Sequence, residues 1–175
     1  MSKTQLKKEL LAMSVQQITD MVLELYSARP EAKEYLDFFI KPDIDAKLEK
    51  ARGLIKKEMN RTSRGRNRAR SSRIRRFIKD ISSLNPGAEA ICEIMTFALE
   101  TACATGSEQW IKEVTQRAFA KLLHETVTTA DTHGILNIYL PRIEKAIDSM
   151  RTSWFHSNEF KLLLKDTLHS SIQSL

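Results

Sequence analysis

Five glycines and four prolines are all that punctuate 175 residues. So few breakers suit long helices better than many short strands. Cysteine is scarcer still. Cys92 and Cys103 are the two thiols, too few for a disulfide framework. Set eleven residues apart on one helix, they would stand about 16 Å apart along its axis. A bridge tolerates only about 7 Å between Cα atoms. Both therefore read as small buried apolar residues, and a reducing compartment suits them. Long apolar runs are missing as well. No stretch reaches ~18 residues without charge, so no helix is expected to span a membrane. "MSKTQLKKELLAM" starts basic but lacks the uninterrupted apolar segment of a signal peptide. The expectation is a soluble, cytoplasmic protein.

What is present is globular: 42% hydrophobic residues beside 29% charged ones. A chain of this length forms one domain, residues 1–175, burying about 68–70% of the surface its unfolded form exposes. Sub-lobes 1–60 and 68–175, joined by 61–67, are the internal division that the sequence suggests. Apolar residues recur at spacings of three and four, and no window alternates as a strand would. "SVQQITDMVLELY" opens with Ser14 three residues before Gln17, the spacing of a capping box. Pro30 stands where a first helical residue tolerates it, and Asp43 can cap the helix that follows. "NPG" at 85–87 is the strongest break. Gly106 is expected to end the next helix, Ser107 to cap its successor and Gly134 to end that one. Pro141 should kink a helix or restart it, and Ser157 should cap the last. The expected fold is all-α: eight or nine helices packed as stacked antiparallel hairpins or an irregular bundle.

Charge is concentrated. The net charge is +6, yet residues 56–79 hold eleven Lys or Arg against one acid, Glu58. That segment carries +10, so the rest of the chain sums to −4. At about 100° per residue from Ile74, the residues Phe77, Ile78, Ile81 and Leu84 share one apolar face. Arg68, Arg75, Arg76 and Lys79 fall opposite, with Ser72 among them. Arg70 lands on the apolar side, so either its stem reaches out past that face or the helix begins after it. Arg61, Arg64 and Arg66 lie ahead of the helix in a connection containing Gly, Ser and Asn. Arginine offers a planar donor fork that meets phosphate bidentately, and it occurs eight times within 61–76 without a lysine. The seven candidate anion-binding residues are Arg61, Arg64, Arg66, Arg68, Arg75, Arg76 and Lys79. Their partner would be a nucleic-acid backbone or an acidic protein. Aromatic interleaving is sparse, so no stacking platform for single strands is expected, and no base-reading signature occurs. The competing reading is a face that is solvated or paired with acids of the same chain.

Catalytic patterns are few. "HETVTTADTH" places Thr at 128, so H-E-x-x-H is absent. His124 and His133 would lie about 180° apart around a continuous helix. Asp166 and His169 are spaced i and i+3, an isolated pair. Glu89, Glu93 and Glu100 share one helix face, expected to meet water or the basic helix, and no Glu-x-x-His partner exists to build a di-iron site. Phosphate loops and a G-x-S-x-G elbow are missing. His156 reads as part of a packed aromatic cluster beside Trp154 and Phe155. No catalytic residue, cofactor or metal ligand is assigned. A metal-independent enzyme with an unrecognised cleft remains the competing class.

Three stretches carry a likeness together: "LELYSARPEAKEYLDFF", "ARSSRIRRFIKDISSLNP" and "SWFHSNEF". In them the chain resembles a bacterial domain-of-unknown-function family of short helical proteins. The resemblance implies a bacterial, cytoplasmic helical protein and supplies no activity, cofactor or catalytic residue. Arg70, Ser71, Arg76 and Phe77 gain no role from it.

Overall fold

A computed structural model describes residues 1–60, 69–152 and 155–175, without the side chains of 155–157. Every regular element among them is a helix. They run α1 (Lys3–Ala12), α2 (Val15–Ala28), α3 (Pro30–Ile40), α4 (Ile44–Met59), α5 (Ser71–Ser82), α6 (Ala88–Glu108), α7 (Glu113–Thr132), α8 (Leu136–Asp148) and α9 (Phe155–Gln173). The chain divides into two compact units, Met1–Asp43 and Ile44–Leu175. α4 packs on α5 and α6 inside the second unit. Both helices that flank the connection at 61–67 thus belong to the second unit.

The first unit follows local rules closely. Ser14 Oγ accepts from the Gln17 amide, and the Gln17 side chain accepts from the Ser14 amide, completing the capping box. Pro30 opens α3 at its first position. α2 packs on α3, and the Tyr26 hydroxyl donates to Asp37 at 2.9 Å. No residue of α1, α2 or α3 is buried.

The second unit is an irregular helical bundle around α6, which contacts α4, α5, α7, α8 and α9. Its core is continuous, from Leu48 to Leu168, with Ile55, Cys92, Ile94, Ala98 and Leu123 fully enclosed. The NPG break forms as expected, with Asn85 and Gly87 both at positive φ. Gly134 ends α7 at φ +68, and the Ile135 amide reaches back to the Ala130 carbonyl. Gly106 behaves otherwise. α6 runs through it to Glu108, and a Cβ there would stand 2.9 Å from Phe160 Cδ1. This glycine admits α9 close against α6 instead of stopping the helix. Ser107 accordingly caps nothing: its hydroxyl donates back to the Cys103 carbonyl. α7 starts six residues later, at Glu113. Pro141 does not restart the helix, which runs on from Leu136 to Asp148. It lies exposed inside α8, so water can serve the carbonyl that its missing N–H leaves unpaired. α9 begins at Phe155, two residues ahead of the expected Ser157 cap.

Candidate polyanion-binding face

α5 docks as its pattern demands. Ile74, Ile78 and Ile81 are buried and Phe77 packs partly against the core. The helix starts at Ser71, so Arg70 precedes it and the angular conflict at that residue disappears. Two long-range hydrogen bonds pin the ends of the Arg-rich connection. The Gln109 side-chain amide donates to the Met59 carbonyl at 3.0 Å. The Thr115 hydroxyl donates to the carbonyl of Ala69, itself held at φ +29, at 3.2 Å. Arg61, Arg64, Arg66 and Arg68 lie outside the described residues.

The described cations split into two sets. Glu58 is buried, its side chain 5% exposed, and its carboxylate takes Arg70 Nε at 2.6 Å and Arg73 Nη1 at 3.7 Å. A buried carboxylate without a cationic partner is costly, so these two arginines serve the core. Arg75 corrects the sequence expectation. It does not project freely but reaches α7, donating to Glu125 at 2.8 Å and to the Ala118 carbonyl. Its position near 100° puts it on the flank of α5 that meets a neighbouring helix, a neighbour that helix phase alone cannot reveal. Arg76 and Lys79 differ. Both are exposed, and neither has a carboxylate within ion-pair reach among the described residues. Three positions apart, they share the outward side of the helix.

Glu89, Glu93 and Glu100 of α6 were expected to face water or α5, and Glu89 is exposed as expected, whereas the other two turn to neighbouring helices. Glu93 and Glu100 both bind Arg142 of α8, and Glu93 also takes Arg52 of α4 at 2.6 Å. Burial pushes the Glu93 carboxyl up, but the hydrogen bonds of Arg142 and Arg52 outweigh it and hold the group below its ordinary value. This network clamps α4 and α8 onto α6, and sequence reading missed it because its members are 41 and 49 positions apart.

The remaining chemistry is dispersed. Burial pushes the Cys92 thiol up to about 11. It pushes Cys103 up to about 12, with Glu100 adding to the shift. Both are protonated, weak nucleophiles. His124 Nδ1 lies 2.9 Å from the Ser171 hydroxyl, and His169 pairs with Gln173. Among the described residues no three His, Cys, Asp or Glu side chains group so as to hold a metal ion, and no helix is long and apolar enough to cross a membrane.

No curated protein and no solved structure matches this chain. A family model described as "Family of unknown function (DUF6155)" matches residues 1–167. That match spans both compact units and all but the last eight residues, and the chain therefore belongs to this family of unknown function.

Proposed function

We propose that this protein acts by binding, as a non-enzymatic helical module whose basic face contacts the phosphate backbone of a nucleic acid. The observation that carries the reading is the outward pair Arg76 and Lys79, exposed and without a carboxylate partner among the described residues, on a helix whose opposite side is anchored in the core. The arginines at 61, 64, 66 and 68 precede the helix in sequence and would add positive charge to the contact. Asp80 flanks the pair and limits its net charge. Of the seven candidates Arg75 drops out of the contact set, since it pairs with Glu125, and Arg70 and Arg73, which were not among them, are spent on Glu58. The cytoplasmic setting and bacterial source implied by the sequence likeness belong to this reading, and unbridged buried thiols suit them.

A scaffold role is the second reading, favoured by the three arginines spent on internal ion pairs. Fluorescence anisotropy with duplex DNA and duplex RNA over a salt series separates the two. For a phosphate contact, the log–log salt slope flattens by about 2 in the Arg76→Glu/Lys79→Glu variant. Wild-type chain that fails to bind either duplex at low salt, or a slope untouched by the double variant, leaves the scaffold reading.

A further inference from the structure

A groove of about 510 Å³ opens between α6 and α8, at the opposite end of the network from Arg52. Its breadth has a local cause. Ala104 on α6 and Ala146 on α8 both line it, and methyl groups cannot fill the space that larger side chains would close. Volumes of this order hold small organic ligands.

Charge in the groove is uneven. Arg142 and Glu100 line one end, but each cancels the other, since Arg142 donates to Glu100 from Nε and Nη2. Lys145 and Arg151 also line it. Both are exposed, and among the described residues neither meets a carboxylate within ion-pair reach. Arg151 is fixed at the backbone, where its amide donates to the Ser107 hydroxyl at 3.1 Å. The nearby C-terminal carbonyls of α8 are no competitor for these cations, because Lys161 already donates to Asp148 O and Met150 O. Glu108 is the one lining acid without a cationic partner among the described residues. The uncompensated charges are therefore two positive and one negative.

We infer that the α6/α8 groove is a binding site for a small organic dianion, held by the Lys145 ammonium and the Arg151 guanidinium. Carboxylate and phosphate pairs present the same acceptors to these donors. Glu108 repels the ligand at one edge and keeps affinity modest. The site is separate from the α5 face and does not rest on nucleic-acid binding.

Calorimetric titration of the full chain with glutarate and with glycerol phosphate, in low-salt buffer free of phosphate, tests the assignment. One-site saturable binding is expected for at least one ligand, with Kd on the order of 0.1–1 mM, and the tighter ligand identifies the acid type. Lys145→Gln and Arg151→Gln should each weaken it about tenfold, whereas Glu108→Gln should tighten it about threefold by removing a like charge. These exposed side chains carry no bond to another side chain among the described residues, so thermal melting should stay put and certify folding. The Arg76→Glu/Lys79→Glu variant should bind the dianion unchanged, which keeps this test distinct from the nucleic-acid one. Absence of saturable heat for both ligands up to about 10 mM, undiminished affinity in Lys145→Gln/Arg151→Gln, or weaker binding in Glu108→Gln would overturn it.

Discussion

Met1–Asp43 and Ile44–Leu175 are both helical, yet they are held by different physics. The first unit is written in local code: a capping box, a proline at a helix start and an exposed hydrogen bond from Tyr26 to Asp37. Leu23, Leu25, Tyr35, Phe39 and Ile40 stay exposed, and nothing is buried. The second unit has weaker local signals and a closed core. α5 and α6 start without a side-chain cap, and a proline sits inside α8. Caps contribute about 1 kcal/mol each, whereas one enclosed Leu or Phe contributes several times that. Clean helical punctuation therefore marks where helices begin, and says little about where stability resides.

The sharpest way to break this contrast is to cut at it. A fragment of residues 44–175 should keep a cooperative unfolding transition, because every residue of the core cluster lies within it. A peptide of residues 1–43 should be largely unfolded by circular dichroism, since so short a chain cannot bury enough surface alone. A folded peptide would show that the exposed apolar residues of α2 and α3 are not the deficit they look.

Point substitutions follow at smaller scale. Leu123→Ala, at a fully enclosed position, should cost about 3–4 kcal/mol in urea unfolding. Leu36→Ala, half-buried on α3, should cost under about 1 kcal/mol. Comparable losses would erase the distinction.

The ion pairs grade the second unit from within. Arg142→Met leaves Glu100 without its cation and Glu93 with Arg52 alone, and should cost about 2 kcal/mol near neutral pH. The folded Glu93 carboxyl lies below its ordinary 4.5. Its contribution is thus fully present above about pH 4.5 and is lost as pH falls through the lowered folded value. The stability gap between wild type and Arg142→Met should shrink over that acid range, and a gap constant from pH 7 to pH 3 would show packing rather than charge. Arg75→Ala is the mildest case. Arg75 and Glu125 are each 36% exposed, and about 0–1 kcal/mol is expected.

Legibility follows the reach of each interaction, not the boundary between the units. Ser14, Pro30, Asn85 and Gly134 act within four residues of themselves, and each was readable from its neighbours. Gly106 was misread because a glycine admitting a close helix looks like one ending its own helix. The difference lies in Phe160, 54 positions away. The fate of one of the three described candidate cations was likewise hidden. Helical phase places Arg75 and Arg76 on one broad polar side, but the neighbouring Glu125 decides that the first is spent and the second is available.

What the sequence determined by itself was the helical class, the seats of most helix ends and the apolar face of α5, because these rest on interactions of a few residues' reach. Tertiary structure alone decided which cations are quenched, where Glu93 and Glu100 point and that a groove opens between α6 and α8. Charge pairing and cavity volume depend on which side chains meet across helices, and no periodicity along one chain encodes the partner.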